Sequence, residues 1–598
     1  MTTQDLFLGF DLSTQQLKIV VCKEDLSIWG KYSIEFDEFK DIYGTDKGVL
    51  KNDQTGEVLT PIALFLDAIE TLLDRMKLDN FPFENVKGIN GSCQQHGTVY
   101  YTSEINRLLS TLGNGEVKWS QHLKNGFSFD LASNWQDRST DKEVLAFEKA
   151  LGSAQNLCQV TGSKAHYRFS GLQFRKRALE ASANWENTSH LGLIASFLNT
   201  ILCGQLVGVE HSEACGTNLF DLQRGDWDDE LLSLALGKNS IVDGVSSSDQ
   251  SRASQKAREM LGPVVNATSN KKIASYLVQK YGFSPNCTVW PITGDNLATI
   301  MSLPLAKDDL LVSMGTSTTV LLITEKYVPS VNYHMFRHPV CPDLYMGMLC
   351  YCNGALAREN VRDKVNEHYQ IKASGAEAWD KFNELVDHQK CENVGIYFPL
   401  GEIIPNAKPC TKRFHYSHSN KLEQLDDSIV DEDPVMIIES QSLSCRMRVS
   451  PMLSGSETKT ASEGVSALEE IVGEKLAVDK VEYPMSEFMS RPQHVYYVGG
   501  TSQNPSIVKK FDQVLGPKKG GFRVEIGDAC ALGGCFRAVW SCTESYKENP
   551  LGFESWLGEK FNFAENVEKI KRTDNVSETW NDYTKKIGIL SLVEKELD

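Results

Sequence analysis

Two segments of matching pattern, one in each half of the chain, carry residues suited to chemistry on phosphates. Residues 7–18 read FLGFDLSTQQLK and residues 310–318 read LLVSMGTST. Each pattern predicts an apolar strand, a tight turn rich in small residues, and a second strand. Small residues at such a turn allow backbone N–H groups to approach an anion and cradle it. The pair therefore predicts two lobes that grip a polyphosphate between them.

The first of these segments also carries charge, at Asp11 and Lys18. A carboxylate beside a phosphate cradle repels the phosphates unless a cation lies between them, which makes Asp11 a candidate magnesium ligand. Lys18 lies in the second strand and can reach back towards a phosphate. The alternative for Asp11 is a turn residue that bonds its own backbone, but the paired motif favours the magnesium interpretation.

Asp295 is a third candidate, in the sequence TGDN at residues 293–296, shortly after the apolar residues 288–290. A helix that begins at Asn296 would leave this carboxylate at the carboxyl end of a strand, where ligands bind in open α/β sheets. Asp295 is thus a candidate general base that accepts the proton of an attacking hydroxyl. The motif is weak by itself, and a simple helix cap is the alternative interpretation.

Three polar clusters suit a polyhydroxylated ligand, which needs paired donors and acceptors rather than charge. They read QQHG at residues 94–97, WQDR at 135–138 and YRF at 167–169. Aromatic neighbours could flank the apolar face of a sugar while Asp137 and Arg168 bond its hydroxyls. A structural histidine at position 96 and an Asp–Arg ion pair on a packed surface are the alternatives.

The last motif, GGTSQN at residues 499–504, follows the apolar strand 495–498. Its paired glycines would let a flat base or a ribose approach the backbone. Asn504 and Pro505 predict the start of a helix that ends at Gly516. The chain has neither the G-x-x-x-x-G-K-[ST] motif nor a G-x-G-x-x-G at a strand-to-helix junction, which argues against a P-loop enzyme and a Rossmann dehydrogenase.

Short apolar strands alternate with amphipathic helices along the chain, and this alternation predicts α/β lobes. We place the boundary between Asn296 and Asp308. The predicted domains are an N-terminal lobe at 1–297, a C-terminal lobe at 298–545 and a peripheral extension at 546–598. The second lobe would include an Ala- and Gly-rich helix from Asp528 to Trp540. The polar stretch from Arg413 to Asp433 is predicted to lie on the surface, and it has no assigned role.

The composition is that of an ordinary globular protein: of 598 residues, 41% are hydrophobic and 23% are charged. A formal net charge of −18 argues against a nucleic-acid partner and an anionic membrane. The fifteen cysteines are scattered, which favours reduced thiols over a disulfide framework. No signal peptide or membrane-spanning segment is visible, so we expect a cytoplasmic protein.

These motifs, in this order, resemble the FGGY family of carbohydrate kinases, from about Leu6 to about Val539. The family belongs to the actin-like ATPase fold. The resemblance implies an α/β protein with two actin-like, ribonuclease H-like lobes and a cleft between them. It also implies ATP and Mg²⁺ as cofactors, with a small-molecule sugar as the other substrate. It implies no oligomeric state.

Within the family, residues 10–18, 94–97, 161–169 and 293–296 are most similar to the eukaryotic subgroup that acts on D-xylulose. The resemblance then implies transfer of the γ-phosphoryl group of ATP to the C5 hydroxyl of this ketopentose, with Asp295 as the general base. The other roles are carried over by position: sugar binding by Gln95, His96, Asp137, Arg168, Asp295 and Asn296; ATP binding by Thr14, Lys18, Gly315, Thr316, Trp379, Gly499, Gly500 and Asn504; and magnesium binding by Asp11.

Alternatives remain within and outside the family. A glycerol kinase usually shows Arg-Glu-Thr where this chain has Gln95-His96-Gly97, although residues 135–138 are similar to its pattern. A ribulose or gluconate kinase is a further alternative. An actin-like nucleotide switch that binds a protein partner is the alternative from another class. It is disfavoured because a switch needs neither the 94–97 loop nor Arg168.

Overall fold

The structure is a computed structural model that describes residues 4–113, 117–389, 391–417, 421–426, 430–454, 461–479 and 481–597. The chain forms two compact units. Unit 1 consists of Met1–Pro304, Phe336–Asp343 and Gly527–Phe561, and unit 2 consists of Leu305–Met335, Leu344–Ile526 and Asn562–Asp598. Both units combine sheets with helices, so the predicted α/β class is confirmed.

The main sheet of unit 1 positions most of the candidate side chains. Its strands lie in the order Lys271–Lys272, Thr288–Val289, Val86–Cys93, Leu6–Leu12, Gln16–Lys23 and Ile28–Glu35, and Thr293–Gly294 also pairs with Val86–Cys93. Leu6–Leu12 and Thr293–Gly294 both run parallel to Val86–Cys93. The carboxyl ends of these three strands therefore meet at one edge of the sheet, as expected for a ligand site in an α/β protein.

Helices cover this sheet and bury its apolar side chains. The main helices of unit 1 are Ile62–Leu78, Asp141–Ala150, Ala154–Thr161, Ser170–Glu180, Ile194–Cys203, Asp229–Ala235, Ser247–Leu261, Ser275–Tyr281, Asp295–Thr299, Ala529–Thr543 and Phe553–Lys560. Ile62–Leu78 shows why such helices form: Phe65, Ile69, Leu72 and Met76 recur at helical spacing and are buried in the core.

The helix Ala529–Thr543, which we predicted within the C-terminal lobe, lies in unit 1 by its contacts. It packs against the sheet at positions without side chains. A Cβ atom on Gly9 would lie 1.8 Å from the carbonyl oxygen of Ala531, and one on Gly533 would lie 2.0 Å from that of Ala298. Glycine at these positions permits backbone-to-backbone packing that no other residue allows.

Unit 2 has its own sheet, in which six of the seven strands lie in the order Tyr345–Tyr351, Thr318–Thr324, Leu310–Met314, His494–Val498, Gly520–Val524 and Val567–Lys569, and His334–Arg337 is the edge strand next to Tyr345–Tyr351. Its main helices are Ala355–His368, Asp380–His388, Asp433–Val449, Ala461–Val472, Pro505–Leu515, Val576–Asp582 and Thr584–Lys595. Asn504 caps Pro505–Leu515 and Gly516 ends it in the left-handed conformation, which confirms both predicted helix ends.

The end of the chain is part of unit 2 rather than a peripheral extension. Trp580, Ile587 and Leu590 are buried in the same hydrophobic core as Leu443. The Arg446 guanidinium donates to the carbonyl oxygen of Trp580 at 2.7 Å and lies 3.9 Å from the centre of its ring. Residues 546–561, which we also predicted to be peripheral, lie in unit 1. The predicted extension is therefore divided between the two units.

The stretch from Arg413 to Asp433 is anchored in unit 2 at both ends. Arg413 and Asp433 form a buried ion pair at 2.5 Å, and the Tyr397 hydroxyl donates to the same carboxylate. Residues 418–420 and 427–429 of the stretch lie outside the described residues. Along the described part of the chain, no helix is long and apolar enough to cross a membrane.

Candidate active site

Asp11 lies on the first hairpin, which we define as residues 6–23. It pairs with Lys18 across the hairpin and with Ser92 on the other neighbouring strand. The Ser92 hydroxyl donates to Asp11 Oδ1 at 2.9 Å. Burial raises the pKa of Asp11, although hydrogen bonds from Ser13 and Ser92 and the charge of Lys18 oppose the rise. A buried carboxylate with hydroxyl neighbours is a suitable oxygen donor for a hard cation.

Lys18 is held by an acid at the start of the helix Ala529–Thr543. Its ammonium group lies 3.0 Å from one oxygen of Asp528, and Lys31 lies 2.9 Å from the other. Burial alone would lower the pKa of Lys18, but the bond to Asp528 raises it above the ordinary value. Lys18 therefore keeps its positive charge close to Asp11.

Asp295 is the first residue of the helix Asp295–Thr299, one position earlier than the helix start that we predicted. The backbone N–H of Asn296 donates to Asp295 Oδ1 at 2.7 Å, and Asn296 Nδ2 donates to the same oxygen at 3.1 Å. The pKa of Asp295 is raised to about 6, mainly by burial and also by the charge of Asp11, while the hydrogen bond from the Asn296 backbone and the charge of Arg168 oppose the rise. A carboxylate with such a pKa is well matched to general base catalysis near neutral pH.

Gln95 joins this carboxylate to an acid that the sequence analysis missed, Glu213. Gln95 Oε1 accepts from Asn296 Nδ2 at 3.3 Å, and Gln95 Nε2 donates to Glu213 Oε2 at 3.4 Å. A Cβ atom on Gly294 would lie 2.3 Å from Gln95 Cγ and 2.5 Å from Glu213 Oε2. Glycine at 294 therefore allows these side chains to close in behind Asp295.

His96 is buried in the same cluster. Its Nδ1 lies 2.9 Å from the carbonyl oxygen of Gly216, and its ring stacks on Phe169 with the ring centres 4.6 Å apart. The pKa of His96 is lowered to about 3, mainly by burial and also by the charge of Arg168. The ring is therefore neutral, and a proton on Nδ1 leaves Nε2 as a hydrogen-bond acceptor. Such an acceptor suits a hydroxyl group.

Arg168 and Asp137 occupy different environments. Arg168 lies close enough to lower the pKa of both His96 and Asp295 by its charge, so it belongs to the cluster. The carboxylate of Asp137, in contrast, accepts from the Val58 backbone at 3.0 Å and from Gln173 Nε2 at 2.8 Å. These bonds, with two more from Ser139, tie three parts of the chain together.

Thr14 lies at the turn of the first hairpin and contacts two of the polar clusters. Trp135 Nε1 donates to its hydroxyl at 2.9 Å, and the hydroxyl reaches Gln94 Oε1 at 3.5 Å. Asn134 Nδ2 donates to the same Gln94 oxygen at 2.5 Å. The structure thus brings the first hairpin, the 94–97 loop and the 135–138 loop together at one edge of the sheet.

Unit 2 contains the second hairpin, which we define as residues 310–324. The N–H of Gly315 bonds the carbonyl oxygen of Ser317 at 3.0 Å, and the N–H of Gly354 bonds that of Thr316 at 3.0 Å. A Cβ atom on Gly354 would lie 2.7 Å from the Thr316 carbonyl oxygen. The turn is therefore held by backbone contacts, and Gly354 is a second supporting residue that the sequence analysis missed.

The glycine-rich turn at 499–504 lies next to the second hairpin. Gly499 has a φ of +90°, and a Cβ atom there would lie 3.0 Å from the carbonyl oxygen of Met314. Around Gly500 a Cβ atom would meet nothing within 4 Å, so the backbone is accessible. Asn504 Nδ2 donates to Asn383 at 2.9 Å, and Trp379 stacks under the Arg362 guanidinium at 4.7 Å.

The comparisons with known proteins agree with this arrangement of motifs. Residues 124–302 match the N-terminal domain, and residues 310–542 the C-terminal domain, of the FGGY family of carbohydrate kinases. The chain belongs to this family. It is 42% identical to the xylulose kinase of Saccharomyces cerevisiae, over all of this chain and 97% of that protein. It is 36% identical to a probable D-xylulose kinase A of Aspergillus clavatus, over 94% of this chain and 93% of that protein.

A solved structure shows the same fold. The crystal structure of xylulose kinase from Rhodospirillum rubrum matches with a TM-score of 0.69 and covers 99% of each chain, at 13% sequence identity. Two α/β units that carry FGGY domains are consistent with the actin-like ATPase architecture that the motifs led us to expect.

Proposed function

We propose that this chain is a D-xylulose kinase, which transfers the γ-phosphoryl group of ATP to the C5 hydroxyl and yields D-xylulose 5-phosphate and ADP. The observation that carries the proposal is the similarity over the full chain to proteins named xylulose kinase, at 42% identity for the yeast relative. The cluster around Asp295 supports it, because the neutral groups of Gln95, His96 and Asn296, together with Arg168, offer the paired donors and acceptors that a polyhydroxylated substrate requires.

Asp295 acts as the general base in this proposal. Its carboxylate accepts the proton of the C5 hydroxyl while that oxygen attacks the γ-phosphorus, and the bond to the β-phosphate oxygen breaks to release ADP. The two hydrogen bonds from Asn296 go to Oδ1, so Oδ2 is the oxygen suited to receive the proton.

The remaining cluster binds the sugar. His96 accepts from a hydroxyl through Nε2, Arg168 donates, and Asn296 and Gln95 contribute amide groups. The loop at residues 94–97 is the part of the cluster that sets the sugar specificity. We do not assign a sugar contact to Asp137, because its carboxylate already accepts four hydrogen bonds within unit 1.

Each hairpin supplies residues that we assign to phosphate binding, and the glycine-rich turn of unit 2 supplies residues that we assign to adenosine binding. The proposed phosphate-binding residues are Thr14, Lys18, Gly315 and Thr316, and the proposed nucleoside-binding residues are Trp379, Gly499, Gly500 and Asn504. Backbone N–H groups and a lysine stabilise the negative charge that spreads over the transferred group.

Asp11 would hold magnesium. The residues fit a hard cation, since the carboxylate lies beside the hydroxyl of Ser92 and raises the pKa of the nearby Asp295 by its negative charge. Bound Mg²⁺ would neutralise charge on the phosphates of ATP. Lys18, on the adjacent strand, supplies positive charge from the chain itself. We also infer a cytoplasmic location, since all fifteen cysteines are free, as is usual in a reducing compartment.

The test is ADP release by the purified protein with Mg-ATP and a panel of D-xylulose, D-ribulose, L-ribulose, glycerol and gluconate. We expect release to be fastest, at low substrate concentration, with D-xylulose. A preference for another member of the panel would support the kinase activity and refute D-xylulose as the preferred substrate. No sugar-dependent release from a folded protein that binds ATP would reject the kinase and favour a nucleotide switch.

A further inference from the structure

Behind the proposed base lies an acid that none of the motifs contains, Glu213. It follows Glu210, which caps the short helix His211–Ala214 and accepts from the backbone of Ser212 and of Glu213 itself. The Glu213 side chain is only 2% exposed. Burying a carboxyl group costs free energy unless the group is hydrogen-bonded or paired, so we asked which groups Glu213 contacts.

Three hydrogen bonds connect Glu213 to Oδ1 of Asp295. Glu213 Oε2 accepts from Gln95 Nε2 at 3.4 Å, Gln95 Oε1 accepts from Asn296 Nδ2 at 3.3 Å, and Asn296 Nδ2 donates to Asp295 Oδ1 at 3.1 Å. All four residues belong to unit 1. The chain of bonds starts at the buried acid and ends at the proposed base.

The acceptor at Glu213 determines which end of each amide in this series of hydrogen bonds donates and which accepts. A primary amide has a donor end and an acceptor end, and turning it over exchanges them. An acceptor at Glu213 selects the orientation in which Gln95 Nε2 points inward and Gln95 Oε1 faces Asn296. That oxygen in turn draws in the Asn296 nitrogen, so the Asn296 carbonyl group is left for a ligand that donates a hydrogen bond.

We propose that Glu213 is a positioning residue for the phosphoryl transfer: its carboxyl group orients the Gln95 amide, which orients Asn296 and, through it, Asp295. The proposal rests on the proposed function, in which Asp295 is the base and Gln95 and Asn296 bind the sugar. Glu213 does not itself contact the reacting atoms.

The charges around Glu213 are consistent with this role. Glu210 Oε1 lies 2.7 Å from His211 Nδ1, and the neighbouring Glu210 carboxylate raises the pKa of His211. The pKa of Glu213 is raised to about 8, mainly by burial and also by the charges of Glu210 and Asp295. The uncharged form of Glu213 is then favoured at pH 7; its carbonyl oxygen accepts from Gln95, and no second negative charge lies beside the base. A glutamine at this position would reproduce both properties.

The experiment compares two substitutions of Glu213 in the full-length protein, assayed with Mg-ATP and whichever sugar of the panel the wild type phosphorylates best. We expect Glu213→Leu, which removes the acceptor and retains bulk, to lower kcat about 10- to 100-fold, the usual cost of losing an orienting partner. We expect Glu213→Gln, which retains an acceptor, to stay within about threefold of the wild type. The KM for ATP should not change in either variant.

A double substitution tests whether Glu213 acts through Gln95. If it does, Glu213→Leu should cost little further activity in a Gln95→Ala background, because coupled residues are not additive. Glu70→Gln is the matched control: Glu70 is a buried acid of unit 1 that bonds Trp119 and Lys280. It should lower the Tm and leave kcat unchanged. Should Glu213→Leu not fold, Glu213→Ala takes its place.

Three outcomes would overturn the proposal: normal kcat in Glu213→Leu with only a lower Tm, equal losses in the Leu and Gln variants, or additive losses with Gln95→Ala. A wild type that phosphorylates no sugar would instead refute the proposed function, so the two failures can be told apart.

Discussion

The two hairpins have the same backbone plan and different chemistry. In the first hairpin, Asp11 pairs with Lys18 one position before the turn. In the second, the equivalent position holds Ser313, which pairs with Thr319. The first hairpin thus places two opposite charges beside its turn, whereas the second offers hydroxyl groups and backbone N–H groups only.

Their supports differ in the same way. The first hairpin is tied down by side chains, with Ser92 bonded to Asp11 and Asp528 bonded to Lys18. The second is held by backbone contacts to Gly354 and Ala355. The small residues of the turn therefore specify the shape of a phosphate cradle, while the residue pair that flanks the turn specifies its charge. The general base, Asp295, belongs to unit 1, like the charged first hairpin.

The largest expected loss of activity follows from removing the general base of unit 1. Asp295→Asn retains the shape and the oxygen that accepts from Asn296, but it cannot take a proton. We expect kcat to fall by about 10²- to 10⁴-fold, the usual range for a general base. Sugar binding, measured as a thermal shift with the sugar, should be retained. Near-normal turnover would remove Asp295 from the mechanism.

The charged and uncharged hairpins can be compared directly by a matched pair of substitutions. Asp11→Asn should lower kcat by about 10²-fold, because it removes a charge that stabilises the cation with the transferred phosphate. Ser313→Ala, at the equivalent position, should change kcat by about threefold or less, since it removes one half-buried, uncharged hydroxyl. A magnesium titration should show a raised requirement in Asp11→Asn alone. Equal effects in both variants would refute the difference in chemistry between the hairpins.

The backbone support of the second hairpin can be broken without touching a charge. A Cβ atom in Gly354→Ala would lie 2.7 Å from the carbonyl oxygen of Thr316, so the turn must shift. We expect the KM for ATP to rise about tenfold while the KM for the sugar stays the same, because a displaced cradle loses binding energy. Gly500→Ala is a separate test of the neighbouring turn, which we assign to adenosine, because a Cβ atom there meets nothing within 4 Å and leaves the second hairpin in place. A raised sugar KM in Gly354→Ala would contradict the assignment of this turn to ATP.

Much of the local structure could be predicted from the sequence, because it depends on neighbours along the chain. Both hairpins form where apolar runs flank turns of small residues. The helix after Asn504 starts and ends as its cap residues indicate. Asp295 follows a strand that pairs in parallel with Val86–Cys93, as its position after an apolar run suggested.

The errors concern contacts between residues far apart in the chain. Glu213 is distant in sequence from Gln95, and only the fold places it behind Gly294. The Ala- and Gly-rich helix was predicted correctly as a helix, but its glycines do not state which backbone they pack on. Trp580 lies in a charged tail whose few apolar residues gave no sign that they complete the core of unit 2. A pattern of small residues predicts close packing, but only the structure identifies the segment against which these residues pack.

The smallest expected effect is the dependence of kcat on pH, which follows from the titration of Asp295. Burial raises the pKa of Asp295 to about 6, so the carboxylate is protonated and inactive as a base below that pH. The activity should therefore rise with pH through about 6 and fall about tenfold per unit at lower pH. His96, whose pKa is lowered to about 3, stays neutral across this range and cannot cause the rise.

The measurement is kcat from pH 5 to 8 in the wild type and in Asp295→Asn, with Ser313→Ala as the control from the uncharged hairpin. The rising limb should be present in Ser313→Ala and absent from the residual activity of Asp295→Asn. A limb that persists in Asp295→Asn would assign the titration to another group of unit 1, with the buried Asp11 next to be tested.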